Sequence, residues 1–175
     1  MNEKRLKNLY NDLVNDQDFD KLELGLNKPN IFEILRISKT EIRHSNFLYW
    51  LLNPKGSHSL GDVFLKRFLR EIFSSDKVSD IDQIEVNNLD FSNVQIRREW
   101  KNIDLLIIFD NIVICIENKI YSKEHSNQLE RYKKIVENEF FDKRISFVYL
   151  TPLGDPSENE TETYVFVSYQ SIVDS

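Results

Sequence analysis

The chain has 175 residues, 41% of them hydrophobic and 30% charged, with a formal net charge of −6 and one cysteine. That suffices for one ordinary domain with its own core and lies outside the disordered range. The lone Cys115, inside an apolar run, excludes a disulfide framework and points to a reducing, cytoplasmic setting, while the acidic balance argues against a protein that merely coats nucleic acid.

The N-terminus, "MNEKRLKNLYNDLV", has charges at helical spacing over 4–14 and no apolar signal-peptide core. "NDQDFDKLELGLNKPN" is polar and turn-rich and predicts a loop. "NIFEILRISKTEIRHSNFLYWLLNP" predicts helix, in two pieces near Ser38, with Phe47, Leu48, Leu51 and Leu52 at helical spacing and Pro54 and Gly56 at the stop. "SLGDVFLKRFLREIF" predicts a second helix with Phe64, Leu65, Phe68, Leu69 and Ile72 on one face. The acidic "SSDKVSDIDQIEVNNLD" reads as loops around one short extended piece.

The period then changes. "VQIRREW", "IDLLIIF" and "IVICIEN" are strand-like runs joined by very short breaks, which predicts an antiparallel meander. Asp104, Asp110 and Asn111 interrupt the longest apolar run, so none reaches membrane-span length. "SKEHSNQLERYKKIVENEF" predicts a helix with Ser122 as N-cap and Leu129, Tyr132, Val136 and Phe140 as its core stripe. "RISFVYL" is a buried strand, "TPLGDPSENETET" a loop and "YVFVSY" a last strand. A helix between "IVICIEN" and "RISFVYL" is the connection that parallel strands need. The expected architecture is α/β: a mixed sheet of a three-strand meander, a crossover helix and further strands. Helices flank it, with a mainly helical part over 1–75 and a sheet core over 84–170. The sequence stops at "SYQSIVDS", where a further helix can begin, as in a piece of a longer chain.

Two carboxylates and an ammonium stand at the ends of runs that otherwise read as buried: Asp104, Glu117 and Lys119. Asp110-Asn111 is the polar break, and both residue types tolerate the left-handed backbone of tight hairpin turns. If they form a two-residue loop, Phe109 faces Ile112, and counting on puts Asp104 opposite Glu117. Lys119, two residues further, points to the same face. Opposed like charges are destabilising, so the pair needs a shared proton or a divalent cation. Magnesium takes oxygen ligands, commonly one or two carboxylates plus water and phosphate. Taken singly, each residue also reads as a solvated strand end, and a one-residue bulge would undo the register.

"IDLLIIF…IVICIENKI…QLERY" resembles the PD-(D/E)xK nuclease superfamily, whose motif is an Asp on one strand and Glu-x-Lys on the next. Here these are Asp104, Glu117 and Lys119, with Ile103 in place of the usual Pro. "QLERY" is similar to a helix motif of several branches, in which the Gln joins the site; here it is Gln128. "EIRHSNFLYWLLNPKGSHSLGDVFL" resembles a bacterial branch with a helix Glu, a His-Ser pair and an H-x-L-G segment, here Glu41, His44-Ser45 and His58 to Gly61. The resemblance, from about Glu41 to Tyr169, implies a single restriction-endonuclease-like domain over 1–175. It implies a nuclease dependent on Mg2+ or Mn2+, the metal held by Asp104, Glu117 and the Asn118 carbonyl. Lys119, Glu41 and Gln128 complete the catalytic set. DNA is the implied partner, RNA the second, with a homodimer or a missing C-terminal region as further partners. Such bacterial nucleases serve restriction, phage defence, repair or mobile elements.

Other residues keep two readings. Ser38-x-x-Glu41 is also a capping box. His44 and Ser45 share the face of Glu41 and either touch phosphate or pack. His58 reads as a loop brace, and three histidines without zinc spacing make no zinc site. If Lys101-Asn102 is also a two-residue turn, Glu99 falls opposite Asp104 as a third carboxylate, unless Arg97 and Arg98 neutralise it. Cys115, Trp50 and Trp100 read as packing residues. The rival function is a silent nucleic-acid- or protein-binding module on a nuclease-like scaffold, and a weaker one is a phosphoesterase for a small nucleotide.

Overall fold

The computed structural model describes residues 4–7, 10, 31–74, 81, 83–120, 127–156 and 163–174. It divides into two compact units, Met1–Ser38 and Lys39–Ser175. In the first unit, residues 4–7 and Tyr10 are helical, in agreement with the charge spacing, and α1 spans Ile31–Ile34. The loop expected over 15–30 lies outside the described residues, as does the proposed cap Ser122.

The second unit runs α2 (Glu41–Leu52), α3 (Val63–Phe73), α4 (Gln83–Asn87), β1 (Gln95–Trp100), β2 (Ile103–Ile108), β3 (Ile112–Asn118), α5 (Gln128–Glu139), β4 (Arg144–Thr151), β5 (Tyr164–Ser168) and α6 (Tyr169–Asp174). Turns between α1 and α2 realise the break expected near Ser38. The stretch before β1 departs from expectation: it holds the short helix α4 rather than an extended piece. Ile81 and Val86 are buried there, while Ile84 faces solvent and Glu85 pairs with Arg144 at the start of β4. The short helix buries Val86 and leaves the Glu85 carboxylate for that partner.

The five strands lie in the order β1-β2-β3-β4-β5. The first three are antiparallel and the last two continue parallel to β3. The sheet is covered on both faces, which explains why β2, β3 and β4 read as continuous apolar runs rather than alternating ones. One core joins Leu48 and Leu52 of α2 and Leu65, Phe68, Leu69 and Ile72 of α3 to Ile107, Ile114, Ile116 and Val148. The other joins Leu129, Tyr132 and Val136 of α5, and its C-cap Phe140, to Leu106, Val113, Cys115 and Phe147. Phe47, expected in the α2 stripe, is 40% exposed and stacks at 5.5 Å on Trp50 instead.

Both hairpins have two-residue loops, but their backbones differ, and that of Asp110-Asn111 departs from expectation. Lys101 (φ 50°) and Asn102 (φ 67°) are left-handed, as the strand twist requires of such a turn. Asp110 and Asn111 are not among the left-handed residues. Their loop is closed by the Phe109 N–H donating to the Ile112 carbonyl at 2.8 Å and is braced from outside. The Arg144 N–H donates to the Asn111 carbonyl, and the Lys143 ammonium donates to the Phe109 and Asp110 carbonyls. Tertiary hydrogen bonds here replace the turn's own geometry. No described helix is long and apolar enough to cross a membrane.

Candidate active site

The β2–β3 register pairs Ile108 with Val113 and Leu105 with Ile116. The next step along the same ladder sets Asp104 against Glu117, as the two-residue loop required. Both stand where the apolar strands end, beside the C-terminal ends of the parallel strands β3 and β4. Strand alternation sends Glu117 to the α5 side, with Val113 and Cys115, and Asn118 to the α2 side. The two faces of the sheet thus contribute different partners to one cluster.

On the α5 side, Glu117 is 1% exposed. Its Oε1 accepts from Lys119 Nζ at 3.0 Å and from Gln128 Nε2 at 2.8 Å. The same Gln128 nitrogen lies 2.9 Å from Tyr132 Oη, whose own proton goes to the Asn102 carbonyl at 2.5 Å. Gln128 and Tyr132 stand one turn apart on α5, so the helix ties the buried carboxylate to the β1–β2 turn. Glu117 Oε2 and Gln128 Oε1 are buried and have no hydrogen-bond partner.

On the α2 side, Thr40 rather than Ser38 is the N-cap of α2, without a side-chain cap bond. The capping-box reading of Glu41 therefore fails. Its carboxylate instead reaches the end of β3: Oε1 accepts the Ile120 N–H at 3.1 Å, and Oε2 lies 3.7 Å from Lys119 Nζ. One turn on, Ser45 is fully buried and its Oγ accepts from Asn118 Nδ2 at 3.1 Å. Tyr169, at the start of α6, donates its hydroxyl to Asn118 Oδ1 at 2.7 Å. The Asn118 backbone N–H donates to Asp104 Oδ2 at 2.8 Å. Asn118 thereby links α2, α6, β2 and β3. Tyr169 was not singled out in the sequence, where it reads as the last apolar residue of a strand; no local pattern marks it.

The remaining candidates separate clearly. Ser45 is engaged by Asn118, which fits packing rather than a phosphate contact. His44 is half-buried, its ring edge-on to that of Tyr169 at 6.3 Å. His58 braces its loop: Nδ1 accepts the Leu60 N–H, Nε2 pairs with the Asn53 carbonyl, and the ring meets Trp50 edge-on at 5.1 Å. Glu99 sits at the level of Asp104 in the β1–β2 register, but that pair is skipped, since Glu99 is left-handed at φ 53°. Glu99 is exposed, and its charge adds to those acting on Asp104. Cys115 and Trp100 are packing residues, as read; Trp100 lies against Phe140.

The electrostatics follow from burial. Desolvation pushes Glu117 up to about 8, and the charges of Asp104 and Glu41 add to it against the pull of Lys119. Desolvation likewise pushes Asp104 up to about 6, although the Asn118 N–H and the Lys119 charge work the other way. Burial acts against the Lys119 charge, but Glu117, Glu41 and Asp104 outweigh it and raise its value, so it stays an ammonium. Neither the half-buried Asp104 nor the buried Glu117 ionises readily in this setting, and a positive charge close to both would offset the cost of their burial.

The donor set fits a hard divalent cation. Two carboxylates converge with oxygen donors around them, and Glu117 Oε2 is a buried acceptor without a donor. Among the described residues no group of three or more His, Cys, Asp or Glu is placed to hold a metal ion. Magnesium keeps several waters and is commonly bound through only one or two carboxylates. A mixed five-strand sheet with helices on both faces is the architecture of a restriction-endonuclease-like α/β protein. A family model described as the PD-(D/E)XK nuclease superfamily matches residues 29–174, and the chain belongs to that superfamily. No curated protein and no solved structure matches the chain.

Proposed function

We propose that this chain is a divalent-metal-dependent nuclease that hydrolyses phosphodiester bonds in DNA. The observation that supports this most is the opposed pair of the half-buried Asp104 and the buried Glu117, with Lys119 Nζ 3.0 Å from Glu117. Family membership supports a nuclease-type function in general; the metal, the substrate and the residue roles are our reading. Asp104, Glu117 and the Asn118 carbonyl would hold Mg2+ or Mn2+. Such an ion supplies Lewis-acid polarisation of the phosphate and a lowered pKa for bound water.

The side chains divide the remaining work. Lys119 stays protonated, so it contributes charge and hydrogen bonds to negative charge developing on phosphate oxygens, not proton abstraction. Glu41 holds that ammonium from the α2 side and fixes the backbone at Ile120. Gln128 fixes which oxygen of Glu117 is engaged and leaves the other for a cation. The net charge of −6 favours the rival reading, a module that binds a protein partner.

Cleavage of supercoiled plasmid, single-stranded DNA and RNA, with Mg2+, Mn2+ or EDTA, decides between them. Metal-dependent cutting by the wild type that disappears in Glu117→Ala is the expected result. Intact substrates under every metal condition would favour the binding module.

A further inference from the structure

At the parallel β3–β4 edge, Asn118 pairs with Leu150, and the Lys119 N–H donates to the Leu150 carbonyl at 2.8 Å. The next level of that ladder brings Lys119 beside Thr151, the last residue of β4. Alternation after Phe147 and Tyr149, both in the α5-side core, turns Thr151 to the side that carries Glu117. Thr151 is 7% exposed, and its Oγ1 is buried with no hydrogen-bond partner. A buried hydroxyl without a partner costs stability that valine, of the same shape, would not.

Resting on the metal reading above, we propose that Thr151 is a positioning residue for Lys119. Its hydroxyl receives the Lys119 ammonium once Glu117 is engaged by a cation. In the structure that ammonium is held by Glu117 at 3.0 Å, with Glu41 at 3.7 Å. A cation on Glu117 Oε2 repels the ammonium and draws charge from the carboxylate. Thr151 offers a neutral, buried acceptor on the adjoining strand, at the level of Lys119. The move keeps the ammonium in the site and aims it from the β4 side.

The test measures Mn2+ affinity by calorimetry and unfolding in EDTA for Thr151→Val and Thr151→Ser, each also combined with Lys119→Met. Thr151→Val should be at least as stable as wild type in EDTA yet bind Mn2+ roughly tenfold more weakly, as loss of a hydrogen bond to a charged group implies. Thr151→Ser should restore the affinity. With Lys119→Met present, Thr151→Val should change nothing further, since the two act as one unit. In a cleavage assay Thr151→Val should lower kcat and leave KM in place. Unchanged Mn2+ affinity in Thr151→Val, or an equal loss in the Lys119→Met background, would overturn the inference alone. Wild type that binds no Mn2+ would overturn the metal reading and this inference with it.

Discussion

Replacing Glu117 by Gln should strengthen the metal-free fold while abolishing its chemistry. Glu117 titrates near 4.5 when unfolded and at about 8 when folded, chiefly because it is buried. The folded chain therefore holds an extra proton between those values, and its stability falls as pH rises through that window. At about 1.4 kcal/mol per unit, the penalty is near zero at about pH 4 and roughly 3 kcal/mol at about pH 7. Gln keeps the shape and still accepts from Gln128 and Lys119, but it weakens the 3.0 Å contact with the ammonium. That loss offsets part of the gain, leaving a net stabilisation of about 1–2 kcal/mol at pH 7 to 8. For a domain of this size the unfolding midpoint rises by roughly 2–8 °C. Thermal melts of wild type and Glu117→Gln in EDTA, from about pH 4 to 8, should coincide at the acid end and diverge upward. Added Mg2+ should raise the wild type and leave the variant unmoved. A variant less stable than wild type by the same margin at every pH would refute the argument that burial of this charge opposes folding.

Other substitutions probe the surrounding contacts. Lys119→Met should reduce cleavage by roughly 10²–10³-fold, as loss of a preorganised charge does, while Mn2+ still binds in calorimetry. Tyr169→Phe removes the donor to Asn118 Oδ1 and leaves that oxygen buried; the cost should be about 1–3 kcal/mol in urea unfolding. Ser45→Ala should cost less when combined with Tyr169→Phe than alone, because both act through Asn118. Mn2+ affinity should rise with pH between about 6 and 8, since Asp104 and Glu117 must lose protons to bind; a flat profile would mean that neither is a ligand.

What the sequence determined by itself is the local and the countable. Three apolar runs with two-residue breaks leave one meander register, and counting from Asp110-Asn111 brings Asp104 to Glu117 without any tertiary information. The α5 stripe of Leu129, Tyr132, Val136 and Phe140 is equally legible, because the period of 3.6 is written in one segment. The tertiary structure decided what depends on how helices sit on the sheet. Glu41 looks like a capping residue in its own segment; only the placement of α2 over the end of β3 sends it to Ile120 and Lys119. Ser45, Asn118 and Tyr169 are joined across 73 and 51 residues, and no period connects them. The Asp110-Asn111 backbone departs from expectation for the same reason: Lys143 and Arg144, at the entry to β4, brace it, and that help overrides the turn's local preference. Register propagates along a ladder of hydrogen bonds and can be counted. The approach of one element to another is set by packing of the whole core, and the order of residues does not spell it out.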